Sequence, residues 1–84
     1  MNFKSYDELC ESIKRGNEIQ FKFGEKLYFI CPHWNNSVID GCIIGECYSD
    51  SFDIIDIKNL YCYVIQDTTF YKAFSTIEIV DRVI

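Results

Sequence analysis

This chain of 84 residues has no long apolar run and only one proline. No apolar stretch approaches the roughly 20 residues that span a bilayer. The first eight residues have no signal-peptide core, so we expect a cytoplasmic protein. The chain has one histidine, His33, and its four glycines match no phosphate-loop pattern. The sequence therefore offers few residues for a catalytic site. We therefore predict that the chain is not an enzyme and has no cofactor.

Basic residues are absent from the middle of the chain. No Lys or Arg lies between Lys26 and Lys58, and acids and bases balance in the segments on either side. The net charge of −5 therefore comes from the middle, which excludes a generally basic nucleic-acid binder. Its five acids are Asp40, Glu46, Asp50, Asp53 and Asp56. They form either a solvated surface or a docking surface for a basic partner, with Trp34 and Tyr48 as flanking aromatic anchors.

The composition predicts one folded domain over residues 1–84. Hydrophobic residues make up 49% and aromatic residues 17% of the chain, which is too much for a disordered protein. A chain of this length can build one hydrophobic core but not two. Most of the aromatic residues are therefore expected to be buried.

The five cysteines allow two interpretations. An odd count without a signal peptide argues against a disulfide framework and favours free, buried thiols. The alternative is a zinc site at Cys31, His33, Cys42 and Cys47, but the tight C-x2-C knuckles of structural zinc sites are missing. We predict no bound metal and keep the zinc protein as an alternative.

The N-terminal third predicts a helix followed by a hairpin. Ser5 and Glu8 form a capping box before an apolar stripe at helical spacing, and Gly16 is the expected C-cap. The alternating strand after it turns at Gly24-Glu25, which places Phe21 opposite Tyr28. The second sheet face then carries Leu27 and Phe29, which either the C-terminal segment or a partner subunit must cover.

The rest of the chain predicts further strands and short helices. Pro32 is expected to end the second strand. Residues 38–48 form one or two strands, and residues 52–55 another. Residues 57–65 fit either a strand or an amphipathic helix capped by Asp56; we favour the helix. A short helix behind Thr68 or Thr69 and a closing strand from residue 77 complete an α+β fold, with the N-terminal helix packed on a small antiparallel sheet.

The helix and hairpin also carry a resemblance. Three segments of this region resemble small, largely uncharacterised proteins of bacteria and their prophages. The segments are Ser5-Tyr6-Asp7-Glu8-Leu9, Gly16-x-Glu18-Ile19-x-Phe21-x-Phe23 and Lys26-x-Tyr28-x-Ile30. The resemblance covers residues 3–30 and implies a mobile-element context, in which small acidic proteins are often anti-CRISPR or toxin-immunity inhibitors.

These observations predict a non-enzymatic inhibitor that binds a larger basic protein, such as a nucleic-acid-handling defence protein or a toxin. Its acidic segment would fill a phosphate-binding groove and exclude nucleic acid. One alternative is a small-ligand-binding oligomer with Leu27 and Phe29 in the subunit interface. The other is the zinc protein.

Overall fold

The computed structural model describes residues 3–83, with side chains up to residue 81. One five-stranded antiparallel sheet, in the order β4-β3-β2-β1-β7, forms the body of the fold, and a two-stranded sheet β5-β6 lies beside it. The elements are α1 (Tyr6–Lys14), β1 (Glu18–Phe23), β2 (Lys26–Asn35), β3 (Val38–Glu46), β4 (Phe52–Ile55), a 3-10 turn (Ile57–Asn59), β5 (Val64–Ile65), β6 (Thr68–Thr69), α2 (Phe70–Ala73) and β7 (Glu78–Val83). The predicted α+β class is confirmed.

Helix α1 forms for the reasons expected from its sequence. The Ser5 hydroxyl oxygen accepts a hydrogen bond from the Glu8 N–H at 3.2 Å, and the Glu8 carboxylate in turn accepts from the Lys4 N–H. Leu9 and Ile13 are fully buried on the apolar stripe. Gly16 adopts a φ of +94° just past the helix, the left-handed geometry that glycine tolerates best. None of the helices in residues 3–83 is long and apolar enough to cross a membrane.

The hairpin β1–β2 has the predicted register. Phe21 pairs with Tyr28 and Phe23 with Lys26, across a turn in which Gly24 has a φ of +63°. Strand β2 does not end at Pro32, however, and continues to Asn35. The prediction was wrong because β1 pairs with β2 only as far as Ile30, so β2 has one neighbour beyond that point, and an edge tolerates a missing N–H.

The C-terminal third contains less helix than predicted. Residues 57–65 form one 3-10 turn and then strand β5, and Asp56 makes no side-chain capping bond. The strand propensity of the Tyr, Val and Ile residues outweighs the helical spacing, and Val64 of the supposed apolar stripe is exposed. Helix α2 is a single turn capped by Thr69. Strand β7 forms where it was expected.

All the layers that cover the sheet lie on the same face. Phe21 of β1 contacts Phe70 of α2, with ring centroids 5.6 Å apart, and Phe70 also packs against Tyr6 of α1. The buried core runs from α1 through β1, β2 and β3 to α2. We call this the core face. The other side is the open face, on which no helix or strand of residues 3–83 lies.

Candidate functional site

The seven predicted partner-binding residues lie at opposite ends of the sheet. Strand β3 carries Asp40 near its start and Glu46 at its end, which separates them by about 20 Å along the strand. Because β4 runs antiparallel to β3, the chain returns Asp56 to the Asp40 end. Asp40, Asp56 and Trp34 therefore mark the far end, whereas Glu46, Tyr48, Asp50 and Asp53 mark the turn end, around the β3–β4 turn. They do not form one surface.

The turn end contains a groove on the core-face side of the sheet. It has a volume of about 640 Å³ and runs between the β3–β4 turn and strand β5. Glu46, Asp50 and Asp53 line it, with Phe52 and Tyr63 among the other walls. The described residues that line this acidic groove include no Lys or Arg. Its nearest ion pair joins Glu46 to Lys26 at 3.9 Å, a solvated contact of small energetic weight.

Two hydrogen bonds fix the walls of the acidic groove. The Tyr63 hydroxyl donates to Asp53 Oδ2 at 2.6 Å. Partial burial, together with this bond to a carboxylate, raises the pKa of Tyr63 to about 12, so the phenol stays protonated at neutral pH. Gln66 Nε2 donates to the Phe23 carbonyl and to the Tyr28 hydroxyl, each at 3.1 Å. These bonds join the β5–β6 hairpin to the β1–β2 turn.

The far end is electrostatically different. His33 Nδ1 lies 2.6 Å from Asp40 Oδ1, and its N–H must donate because a carboxylate only accepts. This bond to His33 lowers the pKa of Asp40 below its ordinary value. Asp40 and Asp56 line a cavity of about 750 Å³ together with Asp7, and Lys14 and Lys58, which also line it, offset most of this negative charge.

Trp34, also at the far end, packs against the body of the fold. A Cβ placed on Gly16 would lie 3.4 Å from the Trp34 ring, so the indole covers the end of α1 and is 55% exposed. This contact gives the ring a structural role as a cap on the core edge. Trp34 is therefore a weaker candidate for a partner anchor than Tyr48.

The four residues of the proposed zinc site do not converge. Cys42 is buried on the core face, whereas Cys31 pairs with Ile43 on the open face. Burial raises the pKa of the Cys42 thiol to about 12, and burial followed by the Glu18 charge raises the pKa values of Cys31 and Cys47. Residues 3–81 contain no group of three or more ligands placed to hold a metal ion.

Leu27 and Phe29 lie on the open face, as the hairpin register predicted, and both are half-buried. Helix α2 of the C-terminal third packs on the core face instead. Phe52 and Ile54 of β4 extend the apolar surface, and each is 55% exposed. Gly45 lets these side chains meet, because a Cβ there would lie 3.2 Å from Phe29 Cε1 and 2.9 Å from Phe52 Cβ. The face is thus a continuous apolar patch over β2, β3 and β4.

A small depression lies beside this patch, again at the turn end. We call it the open-face pit; it has a volume of about 260 Å³ and is lined by Glu18, Gln20, Phe29, Cys47 and Tyr48. The sequence analysis selected Tyr48 but missed Glu18 and Gln20, which lie on β1. The alternation predicted from the sequence placed Gln20 on the second sheet face, but Glu18 lies before the predicted strand, and nothing in the sequence brought Tyr48 next to either residue.

No family model, no curated protein and no solved structure matches this chain. The resemblance over residues 3–30 to small bacterial and prophage proteins therefore stays a prediction. What the chain does has to be argued from its own surface.

Proposed function

We propose that the chain is a non-enzymatic binding protein that docks, through its turn end, onto a basic protein that handles nucleic acid. The observation that carries this proposal is the acidic groove, where Glu46, Asp50 and Asp53 line one depression without a basic side chain among the described residues of its lining. A concentration of one sign of charge in a groove attracts an oppositely charged surface and speeds its association. The far end lacks this property because Lys14 and Lys58 share its cavity.

The proposed mechanism is competition for a phosphate-binding surface. Carboxylates held along a groove present negative charge as a nucleic-acid backbone does, and arginine and lysine side chains recognise both. Tyr63 keeps the Asp53 carboxylate in place, since it donates to one of its oxygens. A partner bound here cannot bind nucleic acid with the same surface. The protein would thereby act as an inhibitor, of the anti-defence or toxin-immunity kind.

A charge-matched pair of variants tests the proposal. The groove variant combines Glu46→Gln, Asp50→Asn and Asp53→Asn, which keep an acceptor oxygen for Tyr63. The control variant combines Glu11→Gln, Asp40→Asn and Asp56→Asn, which removes the same charge elsewhere. We expect wild type and control to retain the same basic protein from host lysate, and the groove variant to lose it.

Kinetics with the captured partner then separate docking from general attraction. The groove variant should associate more slowly, and the salt dependence of its association rate should be weaker than that of wild type. If groove and control variants lose the same amount, net charge rather than the groove controls binding. If both retain the partner at the wild-type rate, the acids are a solvated surface and the proposal is wrong.

The open face supports a second candidate, an oligomer that buries Leu27 and Phe29 between subunits. The specific observation is the apolar patch with Phe52 and Ile54 half exposed. Because helix α2 packs on the core face and Phe29 is only half-buried on the open face, Phe29→Asp should leave the fold intact and convert an oligomer into a monomer by light scattering. A wild-type chain that is already monomeric at high concentration excludes this candidate.

A further inference from the structure

We propose that the open-face pit is the anchor site for one arginine side chain of the protein partner. This inference rests on the proposed function and names the side chain that the turn end recognises first. The pit and the acidic groove lie on opposite sheet faces and meet at the β3–β4 turn, which contributes Tyr48 to the one and Asp50 to the other. A partner that grips this turn contacts both.

The lining of the pit matches the chemistry of a guanidinium group. Phe29 and Tyr48 offer aromatic rings, on which a planar cation stacks favourably. Glu18 supplies a carboxylate and Gln20 an amide oxygen, the acceptors that the guanidinium N–H groups need. Among the side chains that the structure describes, no cation pairs with Glu18. Its negative charge extends over the open face, where it contributes to the raised pKa values of the Cys31 and Cys47 thiols.

Tyr48 provides an independent observation. Its backbone has a φ of +65°, a left-handed conformation that costs a non-glycine residue about 1–2 kcal/mol. Its side chain is 100% exposed, so no packing within the chain compensates for that cost. Strained residues of this kind occur preferentially at functional sites. A fully exposed aromatic residue that lines the same pit as a carboxylate is suited to binding a cation from another molecule.

The size of the pit and its surroundings favour arginine on a protein surface over a free ligand. A volume of about 260 Å³ accommodates one side chain but is smaller than pockets for drug-sized molecules. The apolar patch next to it, with Phe52 and Ile54 half exposed, provides the remaining contact area that one arginine lacks. Lysine fits less well because its compact ammonium cannot stack on the rings and bridge two acceptors at once.

The direct test titrates a minimal probe into the ¹⁵N-labelled protein. The probe is the capped tripeptide acetyl-Gly-Arg-Gly-amide, and its citrulline analogue is the uncharged isostere. We expect amide shift changes centred on residues 18–20, 29 and 47–48 with the arginine peptide and none with the citrulline peptide. Equal changes with both peptides, or arginine-induced changes centred on the acidic groove instead, would overturn the assignment.

Variants of the pit sharpen the test. Tyr48→Ala and Glu18→Gln should each weaken the arginine peptide about two- to fivefold. Tyr48→Phe keeps the ring and should bind as wild type does, whereas Glu11→Gln, on α1, controls for loss of one charge. If Tyr48→Ala binds the peptide as wild type does, the ring is not the anchor and the proposal fails. ¹⁵N spectra of all variants confirm that each is folded.

The outcome is separable from that of the proposed function. The groove variant should still bind the arginine peptide in the pit, because its three substitutions lie outside the pit lining. If the partner is lost by the groove variant but retained by the double variant Glu18→Gln with Tyr48→Ala, the proposed function stands and the arginine anchor is wrong. If both variants lose the partner, both are supported.

Discussion

Replacement of Tyr48 by glycine should stabilise the protein. Tyr48 has a φ of +65° and a wholly exposed side chain, so the substitution relieves backbone strain without removing a buried contact. The left-handed conformation costs an L-residue about 1–2 kcal/mol, and glycine adopts it freely. Against this gain, glycine makes the unfolded chain more flexible, which costs about 0.5–1 kcal/mol. The difference spans about 0–1.5 kcal/mol and centres on a net gain in the free energy of unfolding of about 0.5–1 kcal/mol.

That gain is measurable in a domain of this size. A change of 1 kcal/mol shifts the Tm of a 60–100-residue domain by about 4–8 °C, so Tyr48→Gly should raise the Tm by about 2–8 °C. Differential scanning calorimetry and urea unfolding should agree on the sign. Tyr48→Ala is the matched control: it removes the same ring but retains a Cβ at positive φ, so its Tm should stay close to that of wild type.

The control also identifies the result that refutes this reasoning. If Tyr48→Ala lowers the Tm and Tyr48→Gly fails to raise it, the ring stabilises the fold and is not held under strain for another purpose. If glycine stabilises the protein and also weakens binding of the arginine peptide, the tyrosine at position 48 lowers stability in favour of recognition.

Three further predictions concern the fold. Phe70→Ala empties a fully buried site and should cost about 3–5 kcal/mol in urea unfolding. Gly41→Ala would place a Cβ 2.5 Å from the Ile55 carbonyl oxygen, so β4 must shift, at a cost of about 1–3 kcal/mol by the same measurement. The hydrogen bond from His33 lowers the pKa of Asp40. The stability that this bond gives the fold is therefore fully present above the ordinary Asp pKa and is lost as the pH falls through the lowered pKa. Asp40→Asn should remove this loss of stability at acid pH from unfolding curves measured across pH.

The parts of the fold that the sequence predicted correctly are governed by neighbours along the chain. Ser5, Glu8 and Gly16 fix the ends of α1, and Gly24 fixes the hairpin register; each acts over a few residues. The prediction that β2 ends at Pro32 was wrong because the length of β1, not the proline itself, determines whether β2 is an edge strand at that point. The helix predicted over residues 57–65 was wrong because helical and strand patterns coincide in this segment. Packing against residues distant in the sequence determines which of the two structures forms.

The candidate site was predictable by residue type but not by arrangement. The excess of acids drew attention to the middle segment, and Tyr48 was selected as an aromatic residue that flanks it. The return of Asp56 to the Asp40 end follows from the β3–β4 pairing, which the sequence does not specify. Glu18 and Gln20 come from β1, two strands away from β3 in the sheet, so only the assembled sheet places them beside Tyr48.

Strand β4 has a consequence for the behaviour of the protein in concentrated solution. Among the described strands it pairs only with β3, so its outer edge carries free backbone donors and acceptors next to two half-exposed apolar side chains. Such an edge can template aggregation through strand pairing between molecules. Asp50, Asp53 and Asp56 lie before, within and after the strand, and their mutual repulsion opposes the approach of a second β4 edge. The same carboxylates that would attract a basic partner therefore keep copies of this chain apart, and their replacement by neutral amides would remove this protection against aggregation.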